Sequence, residues 1–272
     1  MNLFKTNNLS EINNLQQEII DEFSSELTQD KYLEIGQKGL WQSEEILIDK
    51  YFAKNSSVLD VGCGSGRTTL PLFQKGYQVI GVDLTPKMIE SAKKIITAKN
   101  LNIDYQIGDA TKLEFKDNFF DNAIFANNGW TQIPSQAKRQ KALDEIYRVL
   151  KPSGYFIFTT HKRNYSLSRS IFWVGQWIKV YILKPLGYNI KEIEFGDLFF
   201  QRNVSGKNLD QKQFIHIPSV GEVKRQIKRS GFKLIETVLM GELSSSDAAS
   251  RRSTLTKSDD ANKSPVFYVC QK

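Results

Sequence analysis

Between residues 57 and 160, short runs of β-branched and aromatic residues alternate with stretches whose apolar positions recur every three or four residues. Runs at 58–61, 78–82, 103–107, 122–125 and 155–160 read as buried strands, and the stretches between them as helices. This alternation predicts an α/β fold, a parallel sheet covered on both faces. The helix after the second strand is the best marked. Thr85 stands at its cap, Pro86 suits its first turn, and Met88, Ile89, Ala92, Ile95 and Ile96 form one apolar face. Pro71 is tolerated if its helix begins near Thr68, and Pro152 with Gly154 turns the chain into the fifth strand.

Outside this block the pattern changes. Ile12, Leu15, Ile19, Phe23 and Leu27 lie at helical spacing and predict one amphipathic helix over 10–27. A second is expected over 43–52, with Ser43 as N-cap. Residues 161–218 break the alternation with a long insertion containing "SIFWVGQWIKVYILKPLGY". Regularity returns with a helix from Ser219, ended by Gly231, and strands at 233–239 and 266–270. The polar stretch 244–264 reads as a mobile loop. The expectation is a single domain over 1–272: a helical extension (1–55), a core (56–160), a cap insertion (161–218), and a closing helix and hairpin (219–272).

Composition changes this picture little. The chain has 272 residues, 40% hydrophobic and 25% charged, which suits one folded domain with insertions. Its two cysteines, Cys63 and Cys270, form no CxxC pair, and no metal-ligand cluster is legible. The first residues lack a secretion-signal pattern. The most apolar window, 171–183, is shorter than the ~20 residues a bilayer requires and holds Gln176 and Lys179. A cytoplasmic protein with reduced thiols is expected.

Charge is less evenly spread. The net charge is +7, and residues 161–230 carry thirteen Lys and Arg against five Asp and Glu. Such an excess suits an acidic substrate, a phosphate-rich polymer or an anionic membrane face, and equally a plain solvated surface.

The chemistry starts at "SVLDVGCGSGRTTLPLFQKGYQVIGVD", residues 57–83, where a strand breaks into spaced glycines and a second strand ends in an acid. Gly66 is followed by Arg67 rather than Lys and Ser or Thr, so a P-loop is excluded. The spacing Gly62, Gly64, Gly66 differs from the dinucleotide pattern, with Arg67 where a small residue is needed, and weakens a dehydrogenase reading without removing it. Asp83 suits ribose hydroxyls in either cofactor. Asp109 follows the third strand, and Asn127 and Asn128 follow the fourth, at the carboxyl ends where open α/β sheets bind ligands.

With "VLDVGCGSG", "GVDLTPKMIESAKK", "IGDATKLEF", "FDNAIFANNGW" and "YRVLKPSGYFIFTT" in this order, the chain resembles the class I S-adenosylmethionine-dependent methyltransferases. The resemblance spans about residues 57–160 plus the last helix and two strands. It implies a seven-stranded, mostly parallel sheet with an antiparallel last strand, and S-adenosylmethionine as cofactor. Gly62, Gly64 and Gly66 would let backbone approach the methionine part. Asp60 would hold the loop or receive the amino group, Asp83 would bind the ribose, and Leu84 would pack on adenine. Asp109 and the Ala110 backbone would meet the adenine edge, and the Asn127 carbonyl the amino group.

Methyl transfer is an in-line displacement governed by positioning, so no obligatory catalytic signature follows. If the acceptor is an oxygen or nitrogen needing a base, His161 stands at the right edge. His216, just before a helix cap, reads as structural. Asn128 and Trp130 could face the acceptor, Trp173 and Trp177 could cover it, and Tyr32 and Trp41 could close the pocket from the N-terminal side. The expected reaction is methyl transfer to an oxygen or nitrogen atom of a small hydrophobic or aromatic molecule. RNA is the main rival acceptor, although Asn127-Asn128-Gly129-Trp130 lacks the Pro-Pro-aromatic pattern of base-amino methylases. A cofactor-binding protein without methyl transfer also stays open, and membrane docking is less favoured.

Overall fold

The computed structural model describes residues 3–204, 207–244 and 265–272. The expected mobile loop falls, beyond Ser244, outside the described residues. Among the described residues nine strands are assigned: β1 (Ser57–Val61), β2 (Gln78–Asp83), β3 (Asp104–Ile107), β4 (Phe120–Phe125), β5 (Leu150–Thr160), β6 (Asp197–Val204), β7 (Lys207–His216), β8 (Lys233–Leu239) and β9 (Val266–Gln271). Seven form one sheet in the order β3-β2-β1-β4-β5-β9-β8, parallel except for β9, which runs antiparallel to both neighbours. The order reverses between β1 and β4, which opens a crevice at their carboxyl ends.

The helices are α1 (Leu3–Ser24), α2 (Glu26–Gly36), α3 (Gln42–Tyr51), α4 (Thr69–Gln74), α5 (Pro86–Ala98), α6 (Gln136–Val149), α7 (Leu167–Ile178), α8 (Val220–Arg229) and α9 (Met240–Leu243). Alternate strand residues serve opposite faces. Leu59 and Val61 pack with Leu143 and Ile146 of α6 and Val223 and Ile227 of α8, while Val58 and Val79 pack with Leu47 and Ile48 of α3 and Leu72 of α4. All are buried, and each such burial stabilises the fold by about 1.5–3 kcal/mol as an upper estimate. Both cysteines are free and buried.

The expected N-terminal helix is in fact two. The hydroxyls of Ser24 and Ser25 bond back to the carbonyls of Ile20 (2.7 Å) and Glu22 (2.9 Å), and these local bonds compete with the helix where α1 gives way to α2. Nor is Ser43 a cap. It is buried inside α3, whose N-cap is Trp41, with the Trp41 N–H donating to Glu44 Oε2 at 2.9 Å. Pro152 and Gly154 lie within β5, beside Ser153 at φ 68°, where pairing with β4 slips between Phe120 and Asn122. A side chain on Gly154 would stand 2.5 Å from the Asp121 carbonyl.

The insertion holds α7, a π-helical turn at Lys179–Leu183, and the β6–β7 hairpin, which the sequence reading missed. His216 is buried at the hairpin's end, its ring nitrogens 2.8 Å from Asp197 and 2.9 Å from Glu222. Glu194 lies close by, but Arg139 pairs with Glu194 and Arg163 lies 3.7 Å from Glu222. Guanidinium groups already neutralise this acidic cluster, so it forms an ion-pair network tying the insertion to α6 and α8.

The N-terminal extension is keyed to the glycine turn. Ser65 Oγ donates to the Tyr32 carbonyl, and Gly36 approaches so closely that a Cβ there would sit 2.7 Å from that hydroxyl. Arg67 sends both terminal nitrogens to Glu44, at 2.7 and 2.6 Å, and one also to the Gly39 carbonyl at 3.0 Å. Both partners are buried. Removing one charge of such a pair leaves the other uncompensated. Glu44→Ala is therefore expected to destabilise the fold by about 3–5 kcal/mol in urea unfolding; a loss under about 1 kcal/mol would show that the pair does not anchor the extension.

Candidate functional site

A cleft lies over the carboxyl ends of β1, β2 and β4 and holds about 930 Å³ of non-atom space, open solvent at its mouth included. The turn after β1 contributes Gly62 and Gly64, and the turn after β2 contributes Asp83, Leu84 and Thr85. Gly108 to Thr111 enter from the turn after β3, and Ala126, Asn127 and Gly129 from that after β4. Gln16, Ile19, Ile20 and Phe23 of α1 and Tyr32 of α2 form the remaining side.

Asp83 ties two of these turns together. Its Oδ2 accepts from the Gly64 N–H at 2.9 Å and its Oδ1 from the Thr85 N–H at 2.8 Å. Thr85 occupies the N-cap of α5, but its side chain makes no capping bond. Burial pushes the Asp83 carboxyl above its ordinary range, and the two N–H donors pull it back. Each oxygen retains a second lone pair, so ribose hydroxyls can still be accepted.

Asp109 is held similarly, by the Thr111 N–H at 2.7 Å and by Gln16 Nε2 at 3.2 Å. Gln16 in turn accepts from Lys138 Nζ, which also donates to Asn13 Oδ1 at 3.2 Å. Burial lowers the Lys138 ammonium, and Asp109 opposes that shift. Leu84, Ala110 and Asn127 line the cleft as expected, Asn127 with a left-handed φ of 52°.

The three glycines do different work. Gly62 adopts φ +62°, and a Cβ there would lie 2.5 Å from the Phe125 ring. Gly64 faces open space, with Tyr32 the nearest group at 3.7 Å from an added Cβ. Gly66 does not line the cleft. Its missing side chain makes room for the Tyr105 hydroxyl, 2.3 Å from where a Cβ would stand. Asp60 is also absent from the cleft wall. It is buried, its Oδ2 accepting from the hydroxyls of Thr68 and Thr69, the latter at 2.6 Å, and so it fastens β1 to the start of α4.

Several residues expected to meet substrate are placed elsewhere. Trp130 is fully buried against Phe158, its indole N–H donating to the Arg139 carbonyl at 3.2 Å. Asn128 is buried, its N–H donating to Thr159 Oγ1 at 2.8 Å and its amide lying 3.2 Å from His161 Nε2. Neither Asn128 nor His161 lines the cleft, which removes the expected place for a histidine base. Trp41 lies over the Arg67 guanidinium instead. Trp173 packs on Phe195 and donates to the Asn164 carbonyl at 2.9 Å, while Trp177 is 47% exposed beside Tyr181. Of the substrate candidates only Tyr32 remains at the cleft.

Sequence reasoning missed Gln16, Phe23, Met88, Ile133, Pro134 and Lys138, which also line it. Lys138 had a signal, since Ser135 caps α6 and places Lys138 in its first turn beside the end of β4. Gln16 had none, because only the packing of α1 brings it to Asp109. The donor set fits S-adenosylmethionine: one carboxylate per end of its ribose-adenine half, glycine backbone on the other side, and apolar walls between.

Residues 59–158 match the family described as "Methyltransferase domain". Demethylmenaquinone methyltransferase of Symbiobacterium thermophilum is 37% identical over 127 residues, covering 44% of this chain and 49% of that protein. A ubiquinone/menaquinone biosynthesis C-methyltransferase of Rickettsia prowazekii is 36% identical over 154 residues, covering 54% and 58%. The chain thus matches about half the length of these relatives. A solved S-adenosylmethionine-dependent methyltransferase of Methanosarcina mazei shares the fold, with a TM-score of 0.63, 23% identity, and coverage of 86% of this chain and 98% of that one.

Asp60 carries a measurable signature of its burial. Among the described residues its Oδ1 has no partner, and burial pushes the carboxyl from 3.8 to about 6, against the pull of Thr68 and Thr69. The folded state then holds this proton more tightly than the unfolded chain does. The resulting stability is complete below about pH 4 and disappears as pH rises through about 6. Relative to Asp60→Asn, the wild type should lose roughly 3 kcal/mol between about pH 4 and pH 7 in chemical unfolding. A difference that stays flat with pH would contradict this placement.

Proposed function

We propose that this chain, whose residues 59–158 are a class I S-adenosylmethionine-dependent methyltransferase domain, methylates a small and largely apolar acceptor. The observation that carries the reading is the cleft itself. Two carboxylates, Asp83 and Asp109, stand at neighbouring strand ends, and the space beyond them is walled by Phe23, Phe125, Ile133 and Pro134.

Asp83 binds the ribose and Asp109 the adenine amine, with Leu84 against the ring and the Ala110 N–H toward a ring nitrogen. The Gly62–Gly64 backbone and the Asn127 carbonyl hold the amino-acid end. When bound, the cofactor supplies an electrophilic methyl whose C–S bond breaks as the bond to the acceptor forms. The wall residues exclude water and align the acceptor, which is the main catalytic requirement of such a displacement.

The titratable side chains of the cleft are Tyr32, Asp83, Asp109 and Lys138, with no histidine among them. An oxygen or nitrogen acceptor remains compatible if it arrives deprotonated. A carbon made nucleophilic by ring oxygens suits this wall better, and the names of the two quinone-pathway relatives point the same way. In that case the acceptor carbon loses its proton to solvent after transfer. The enzyme acts from the cytoplasm in this reading.

Loss of the Asp83 carboxylate removes charge-assisted bonds to the sugar, each worth about 1.5–3 kcal/mol. Asp83→Ala should therefore weaken S-adenosylmethionine binding about tenfold to a hundredfold in calorimetry while a cooperative thermal transition is retained. Unchanged affinity would place the cofactor elsewhere. For the acceptor, incubation of the purified chain with methyl-labelled cofactor and a cell extract should put label into the organic-soluble small molecules. Label confined to RNA, or none with no S-adenosylhomocysteine formed, would overturn the reading.

A further inference from the structure

Helix α7 is built the wrong way round for a helix at a protein surface. Its inward contacts are Trp173, the polar Gln176, and Val180 in the following turn, all buried. The opposite stripe runs through Leu167 (87% exposed), Ile171 (74%), Val174 (57%) and Ile178 (37%), and continues into Ile182 (42%). These positions follow helical spacing on one face, where a surface helix normally carries polar residues. Trp177, Tyr181 and Tyr188 lie exposed along the same segment, and an added side chain on Gly175 would meet nothing within 4 Å. An apolar strip of this continuity marks an interaction surface.

The charge of the segment selects its occupant. Residues 161–191 contain six Lys and Arg and no Asp or Glu. Lys179, Lys184 and Lys191 flank the strip and are anchored from the protein side by Glu192 (3.7 Å), Glu11 (2.6 Å) and Glu18 (3.6 Å). Lys162 is exposed. Apolar residues flanked by tryptophan, tyrosine and lysine suit the boundary between lipid headgroups and acyl chains. Among the described residues no helix is long and apolar enough to cross a membrane, so this contact lies in the membrane plane.

We propose that α7 docks the protein on an anionic lipid bilayer, with Leu167, Ile171, Val174 and Ile178 entering the interface beside the flanking lysines, whose partly exposed glutamate pairs can be exchanged for headgroup phosphates. Glu11 and Glu18, which hold Lys184 and Lys191, belong to α1, the helix that lines the cleft through Gln16, Ile19, Ile20 and Phe23. Docking therefore bears directly on the cleft wall. It needs neither the cofactor nor methyl transfer, so its test is independent of the proposed activity.

The test is sedimentation of the full chain with vesicles of phosphatidylglycerol and phosphatidylcholine in equal parts, and with phosphatidylcholine alone. The wild type should pellet with the anionic vesicles, more weakly in high salt, and hardly with the neutral ones. Ile171→Ser with Val174→Ser should weaken that binding about tenfold or more. S-adenosylmethionine affinity and the melting transition should stay unchanged, since neither residue lines the cleft. Should that variant fail to fold, Leu167→Ser with Leu186→Ser changes two residues that are 87% and 70% exposed and reads the same effect. Tryptophan fluorescence should shift blue on anionic vesicles and lose most of that shift in Trp177→Phe. The proposal is overturned if the wild type does not pellet, if it pellets equally with neutral vesicles, or if the substitutions leave binding intact. It is overturned too if ultracentrifugation shows a dimer that the substitutions dissolve, which would assign the strip to a second copy of the chain.

Discussion

Two hydrogen bonds to one carboxylate set the geometry on which the site depends. Asp83 joins the Gly64 N–H, in the turn leaving β1, to the Thr85 N–H, in the turn leaving β2. Those turns must diverge for a ligand to enter between them, yet stay close enough for both to touch it. A side chain accepting from both fixes that spacing. The positive φ values of Gly62 and Gly64 then let the first turn fold back without steric penalty. Asp60 does the complementary work below, holding β1 to α4 through two threonine hydroxyls.

Above this frame sits a cover that belongs to no strand. Ser65 and Arg67 leave the glycine turn and reach back into the N-terminal extension, to the Tyr32 carbonyl and to Glu44. Arg67 thereby explains why the turn departs from a dinucleotide pattern. The position that would need a small residue for helix–strand packing instead anchors the extension. Through Gln16, which also accepts from Lys138 of α6, the same extension touches Asp109 at the far end of the cleft. One helix pair thus contacts the turn after β1 and the turn after β3.

The core was legible because its signals are local. Alternating buried runs, the glycines after β1 and the acids after β2 and β3 follow from strand ends alone, and residues 59–158 match a known domain. Positions decided by packing between distant segments were not legible. An aromatic residue announces burial or contact but not its partner, so Trp130 went to the core, Trp41 to Arg67 and Trp173 to Phe195. The break between α1 and α2 turned on serine back-bonds invisible to a periodicity count. The β6–β7 hairpin was not legible because its strands, rich in polar residues, lack the apolar/polar alternation by which a strand is read.

Hydrogen exchange with and without saturating S-adenosylmethionine reads the central claim at the turns themselves. Slowed exchange concentrated at Gly64, Leu84, Thr85, Ala110 and Asn127, with the strand interiors unchanged, is the result this account requires. Exchange at those amides that is the same with and without the compound, or protection appearing only in the insertion, would contradict it.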